Sequence, residues 1–343
     1  MIISVQILRA LAALMVVMQH IADKAEQYHS GALSDYHIGY FGVDLFFIIS
    51  GYIMCHATSQ KRLSVRRFIA NRIKRIIPLY WIVTAAALMV YLVAPSMVNS
   101  SGGETSIFSS WTLIPTGKKL LVQNGWTLSY EFLFYLIFAG FLVVGSLKKQ
   151  IIFSSIVLMA MVLVGLYFQP QQPTLKFLTD KLFAEFILGM LAYIFLQRVP
   201  LSSATSFLLL AAGMALLLLQ NHYGIYASAA GRVLSGGVPM LLLFTGIVGL
   251  EPVISKIAFP GKKSAILLGN ASYSLYLIHP FTLSPSALIL HKLQLVQNQT
   301  LFVSLLLFVA VLAGIAAWLF IEQPVNAFFK QKNMTAAASP LTG

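Results

Sequence analysis

About ten apolar stretches, each roughly 17 to 22 residues and each long enough to cross a bilayer core, run through the chain at 2–22, 39–57, 77–94, 126–147, 150–168, 181–197, 204–221, 234–250, 264–283 and 300–321. Nothing else limits the fold as strongly, because a backbone in lipid has to satisfy its own hydrogen bonds and apolar runs of this length do so as helices. With 58% hydrophobic residues, 10% charged residues and a mean hydropathy of +0.83, the 343-residue chain is far more apolar than a soluble domain. The expectation is an all-α polytopic membrane protein with about ten transmembrane helices.

Lys and Arg fall on alternate connections in a ratio of roughly two to one. The richer set runs from Lys61, Arg62, Arg66, Arg67, Arg72, Lys74 and Arg75 to Lys330 and Lys332. By the positive-inside rule both termini are cytoplasmic. The formal net charge of +13 then reports topology, and no nucleic-acid partner is expected. A single cysteine, Cys55, excludes an internal disulfide and offers little to a metal, so no metal is expected. The first stretch lacks a basic leader and carries Arg9 in its apolar centre, so it reads as a retained helix and not a cleaved signal. The expected division is one transmembrane domain over 1–330 and a small, polar, disordered tail over 331–343. Within the domain, 95–125 reads as a loop with short local structure. The basic segment 61–75 is expected to lie along the inner membrane surface, with Pro78 opening the third span.

The informative charges are those inside the spans. Arg9, Asp44 and Glu131 would together cost on the order of 8 to 10 kcal/mol at helix centres unless partnered. An internal salt-bridge network that fixes helix packing is one reading of them. Their arrangement favours another. Arg9 and His20 lie eleven residues apart, which on an α-helix is three turns plus roughly 20°, so they share one face with roughly 16 Å between them. Placed by topology, His20, Asp44, Glu131 and His279 gather towards the outside, while Arg9 lies deeper and Arg72 and Arg75 sit at the inner surface. Ser272, Tyr276 and His279 form one further polar stripe at helical spacing. An inner arginine cluster suits the phosphates of a nucleotide-like donor. An outer histidine oriented by a carboxylate suits deprotonation of a sugar hydroxyl for attack on a thioester.

Five motifs in order carry a family resemblance. They are Arg9 and His20 with ten residues between them; Phe41-Gly42-Val43-Asp44-Leu45-Phe46-Phe47-Ile48-Ile49-Ser50-Gly51-Tyr52; Arg72-Ile73-Lys74-Arg75-Ile76-Ile77-Pro78; Trp126-Thr127-Leu128-Ser129-Tyr130-Glu131; and the run Leu268-Gly269-Asn270-Ala271-Ser272-Tyr273-Ser274-Leu275-Tyr276-Leu277-Ile278-His279-Pro280. The chain resembles acyltransferase family 3, the bacterial integral-membrane O-acyltransferases of surface and exported polysaccharides, and most of all the compact members linked to exopolysaccharide production. The resemblance implies a multi-pass protein of the bacterial cytoplasmic (inner) membrane that takes an acetyl or related acyl group from cytoplasmic acetyl-CoA or another acyl-CoA. The acceptor it implies is a hydroxyl of a polysaccharide or lipid-linked saccharide, with polysaccharide-synthesis proteins as candidate partners. It also implies that Arg9 and His20 carry the core function, with His20 as general base or acyl carrier. Arg72 and Arg75 would engage the CoA donor, and Glu131 and Asp44 would orient histidine or acceptor; His279 completes the catalytic set. Two other readings fit buried charges of this kind: a secondary transporter or flippase for a lipid-linked saccharide, and a non-catalytic subunit of a polysaccharide-synthesis complex. Carriers, however, commonly show matching broken helices in two halves, whereas these charges crowd into the first four spans.

Overall fold

The computed structural model describes residues 2–60, 63–98, 102–224 and 231–329. The tail 331–343, together with Lys61, Arg62 and Lys330, lies outside the described residues. Among the described residues all regular secondary structure is helical, apart from one isolated bridge between Thr105 and Lys119. The long helices are α1 (Ile3–Gln27), α2 (Gly42–Gln60) and α3 (Val65–Val93). After the short α4 (Pro95–Val98) and α5 (Ile107–Thr112) come α6 (Trp126–Gly140) and α7 (Leu147–Phe168). The chain continues through α8 (Pro173–Leu178), α9 (Phe183–Arg198), α10 (Ser203–Tyr223), α11 (Val238–Gly249), α12 (Glu251–Ile254), α13 (Lys262–Lys292) and α14 (Gln299–Ala317).

Every one of the expected apolar stretches is helical, and seven of them are long and apolar enough to cross a membrane. The other three differ for readable reasons. α9 is 16 residues long, Val233–Gly249 is a shorter apolar helix, and in the 31-residue α13 the polar residues Asn270, Ser272, Ser274 and His279 dilute the hydropathy. The segment before Pro78 departs from expectation. It does not form a separate surface helix, because α3 runs unbroken from Val65 and carries Pro78 in its interior. Proline removes one helical donor, a loss that helices packed in membranes tolerate. Arg72 and Arg75 therefore ride on the body of a 29-residue helix, one turn apart. Among its described residues the stretch 95–125 carries α4, α5, one 3₁₀ turn at Gln123–Gly125 and the Thr105–Lys119 bridge, as expected.

Burial separates an inner from an outer shell. The most apolar part of Ile38–Gln60 is 72% buried and that of α1 61%, against 22% for each of α7, α10 and the segment Gln299–Phe329. Leu163, Tyr167, Phe168, Phe207, Leu208, Phe308 and Leu312 are exposed on those outer helices, as lipid-facing positions would be. α1 packs against α2 and α13, α13 against α14, α2 against α9, and α10 against α11. Glycine sets the closest of these crossings. A Cβ at Gly189 on α9 would stand 2.1 Å from the Ile48 carbonyl oxygen of α2, and one at Gly51 on α2 would stand 2.3 Å from the Phe186 carbonyl oxygen. Such close backbone approach is how small residues join helices where no hydrophobic drive acts between them. The start of α1 is fixed by Glu251, whose carboxylate accepts from the Ile3 and Ser4 backbone N–H groups at 3.0 and 2.6 Å, an anion placed at a helix N-terminus.

Candidate active site

Three cavities border α1 and share lining residues. The first, about 490 Å³, is lined by Arg9, Arg75, Asn270, Trp318, Glu322 and Asn326. Arg9 and Arg75 also line the second, a central cavity of about 180 Å³, where Arg72, Ser50, Glu131 and Tyr135 join them. The central cavity shares Val43 and Tyr276 with the third, of about 230 Å³, which holds His20, Gln19, Asn124 and Arg232. From α1 the central cavity takes Val5, Gln6 and Arg9, and the third takes Val16, Gln19 and His20. Val5 and Val16, like Arg9 and His20, are eleven residues apart, so a single face of the helix serves both chambers.

At the arginine end, positive charge is only loosely compensated. Arg9 Nη1 is 3.5 Å from Gln6 Oε1, Arg72 lies over the Phe68 ring at 5.9 Å, and the buried Nε of Arg72 has no hydrogen-bond partner. Among the described residues no carboxylate oxygen lies within 4.0 Å of Arg9, Arg72 or Arg75. The two nearby carboxylates are engaged with hydroxyls: Glu131 Oε1 accepts from Ser50 Oγ at 2.5 Å, and Glu322 Oε2 accepts from Ser274 Oγ at 2.5 Å. Guanidinium donors with spare N–H groups, facing adjoining cavities, can hold an anion by charge-assisted hydrogen bonds.

The histidine end is built differently. His20 Nδ1 lies 3.3 Å from Asp23 Oδ2, one turn further along α1, and both side chains are about two-fifths exposed. Gln19 Nε2 and the Tyr40 hydroxyl also donate to Asp23, at 3.1 and 3.3 Å, and steady that carboxylate. The His279 ring is fully buried with its centroid 5.0 Å from that of His20. Its Nδ1 donates to the Leu275 carbonyl at 3.0 Å, which leaves Nε2 facing Asn124 Nδ2 at 3.5 Å. Asn124 is itself anchored by donating to the Tyr276 carbonyl at 2.8 Å, and Tyr276 shares a 2.9 Å hydrogen bond with Thr127. A histidine held through one ring nitrogen by a carboxylate presents the other as a base.

The structure thus brings Arg9, Arg72, Arg75 and Glu131 to one cavity and sets His20 beside His279. It separates two of the expected pairings. Glu131 does not lie with the histidines but with the arginines, because its position on α6 faces Ser50 across the α2 contact. Asp44 is fully buried in a bidentate pair with Arg232, with Nε at 3.1 Å from both carboxylate oxygens and Nη2 at 2.7 Å from Oδ2, so it contacts no histidine either. The carboxylate at His20 is Asp23. The sequence assigns no role to Asp23, Asn124 or Arg232, and Ser50 enters it only inside the second motif. Asp23 carried a signal, a carboxylate three residues after a histidine on one helix, whereas the other three depend on contacts between helices distant in sequence. Ser272 faces the central cavity and Tyr276 both cavities, in keeping with the polar stripe expected on α13.

The acyltransferase domain of acyltransferase family 3 matches residues 2–319. The exopolysaccharide production protein ExoZ of Rhizobium meliloti (strain 1021) is 30% identical over 322 residues, covering 90% of this chain and 97% of that protein. "Putative peptidoglycan O-acetyltransferase YrhL" of Bacillus subtilis (strain 168) is 28% identical over 156 residues, 38% of this chain and 25% of that protein. No solved structure matches. With a family match over nearly its whole length and a full-length relative of the exopolysaccharide type, the chain belongs to acyltransferase family 3 and is a membrane acyltransferase.

Proposed function

We propose that the protein moves an acetyl or related short acyl group from cytoplasmic acyl-CoA to a hydroxyl of an exported or surface polysaccharide, or of its lipid-linked precursor. It does so as a single domain over 1–330, crossing the bacterial cytoplasmic membrane about ten times with both termini inside. The observation that supports this reading is the series of cavities: Arg9 and Arg75 are common to the first and second, and Val43 and Tyr276 to the second and third. The arginine end of α1 is then the cytoplasmic end, in line with the basic residues around it.

In this reading Arg9, Arg72 and Arg75 receive the phosphates of the donor, and its thin acyl-bearing arm extends through the central cavity past Tyr276. The acceptor hydroxyl enters the third cavity, where His20 Nε2 takes its proton while Asp23 holds Nδ1. The hydroxyl oxygen bonds to the thioester carbonyl carbon, the C–S bond breaks, and the thiolate leaves on the arginine side. His279, close behind His20, fixes the ring's position. A two-step route with the acyl group carried on His20 uses the same residues. Release of free CoA in the absence of acceptor separates the two, since only the two-step route gives a burst.

The test is acyl-CoA consumption by the purified protein. Free thiol forming in proportion to acylated glycan, identified by mass spectrometry, is the expected result. Intact glycan modification by a protein that consumes no thioester would reject the donor assignment, and transport of a lipid-linked saccharide without acyl transfer would reject the reaction.

A further inference from the structure

Away from these cavities lies one buried carboxylate that the reaction does not use. Glu185 on α9 is fully buried, and neither carboxylate oxygen has a hydrogen-bond partner. Its carboxyl rests against Gly237, where a Cβ would stand 2.5 Å from both oxygens; at the adjacent Gly236 a Cβ would stand 3.0 Å from Asp44 Oδ1. Two consecutive glycines of the π-helical turn Val233–Gly237 thus make room for these groups, Gly237 for the Glu185 carboxyl from α9 and Gly236 for the Phe41 ring and, beside it, the Asp44 carboxyl from α2. π-helical turns of this kind recur at functional sites. Arg232, which begins that turn, gives Nε and Nη2 to Asp44 and a 2.8 Å bond from Nη2 to the Tyr40 carbonyl. It makes no hydrogen bond to Glu185.

Charge counting then decides the state of the cluster. Two carboxylates and one guanidinium leave a buried net negative charge, carried by a group with no donor facing it, which is strongly unfavourable at low dielectric. Other charges nearby do not cancel it. Asp180, just before α9, and the exposed Lys181, whose Nζ would stand 3.7 Å from a Cβ at Gly231, bring one charge of each sign to the Arg232 side of the cluster and leave its sum unchanged. From α6 the facing group is the neutral Tyr130, and from the segment before α2 it is Tyr40. One proton restores neutrality. We infer that Asp44, Glu185 and Arg232 form a buried site that binds a single proton, held on Glu185 while Asp44 keeps the arginine.

The site touches the acyl-transfer chamber through Arg232 and Tyr40, which both line the cavity of His20; the Tyr40 hydroxyl also donates to Asp23, the partner of His20. Without its proton, Glu185 competes with Asp44 for Arg232. The guanidinium leaves the Tyr40 carbonyl, and the wall beside His20 shifts. This last link rests on the function proposed above; the proton itself does not.

The experiment is infrared spectroscopy of the full-length protein in detergent at neutral pH, comparing the native chain with Glu185→Gln and Asp44→Asn. The native spectrum should contain the C=O stretch of a protonated carboxylic acid that Glu185→Gln, nearly isosteric and unable to ionise, lacks. In Asp44→Asn the arginine has only Glu185 to pair with, so Glu185 gives up its proton and the same band disappears. A band unchanged in Glu185→Gln overturns the proton site, and one that persists in Asp44→Asn overturns the sharing. Acyl transfer is then followed against pH. Several-fold loss on the alkaline side in the native protein, absent from Glu185→Gln, is expected; parallel profiles overturn the link to the His20 chamber and leave the infrared result standing.

Discussion

At one end of α1, Arg9, Arg72 and Arg75 face adjoining cavities with no carboxylate oxygen within 4.0 Å among the described residues, whereas at the other end His20 lies 3.3 Å from Asp23 and Arg232 lies 2.7 Å from Asp44. Both ends place charge in an apolar bundle, yet they treat it in opposite ways. Charge left open attracts a ligand of the opposite sign, and its effect reaches as far as salt screening allows. Charge closed by a partner orients a group and moves a proton over hydrogen-bond distance. The difference between holding a donor and performing the transfer is thus written in the partners of the charged groups more than in the charges themselves.

The largest effect should come from the closed end. His20→Ala removes the proposed base and should lower acyl transfer by roughly 10²- to 10⁴-fold, with thermal unfolding in detergent near that of the native protein because the ring is partly exposed. Full activity in this variant would detach the histidine from the chemistry and break the comparison at its stronger side. At the open end, Arg75→Ala should weaken acyl-CoA binding by about 10- to 100-fold, the size of one lost hydrogen bond to a charged group. Raising ionic strength should weaken donor binding in the native protein and leave the acceptor KM unchanged, which calorimetry and steady-state kinetics would read separately. Equal salt sensitivity for donor and acceptor would erase the contrast. A smaller, sharper change is expected for Asp23→Asn, of the order of a 10-fold drop in kcat with donor affinity intact, since the carboxylate acts only by positioning His20.

The smallest effect calibrates the rest. Lys118 and Glu104 are also 2.7 Å apart, the same separation as Arg232 and Asp44, but their side chains are 53% and 77% exposed. Glu104 is held below the usual carboxylate range by the hydrogen bond from Lys118. Glu104→Ala should change neither transfer nor unfolding temperature measurably, because water screens such a pair and salt weakens it further. A clear loss there would mean that distance, and not burial, governs charge pairing in this protein.

Much of this design was legible in the sequence. Length and hydropathy place every long apolar stretch on a helix, since lipid leaves the backbone few alternatives, and the eleven-residue step from Arg9 to His20 puts both on the face that lines the cavities. What stayed hidden depends on how helices cross. Glu131 belongs with the arginines because α6 meets α2 at Ser50, and Asp44 belongs to Arg232, 188 residues away. Periodicity within one helix carries no record of such pairings. Asp23 and Glu185 are a different case: each is an acid in or beside an apolar run, a signal equal to that of Asp44, and each is given meaning only by its neighbours, His20 for one and Gly237 for the other. The unbroken course of α3 through Pro78 shows the same limit from the opposite side, since packing overrode a local helix-start signal.

The claim that joins the two ends is that donor and acceptor meet from opposite faces of the membrane. Sealed proteoliposomes containing the protein in one orientation, with radiolabelled acetyl-CoA supplied on the face of Arg75 and acceptor glycan confined to the face of His20, test it directly. Labelled glycan should form in this arrangement and fail to form when both substrates are on the His20 face. Product appearing only when donor and acceptor share one face would contradict a transfer path along α1.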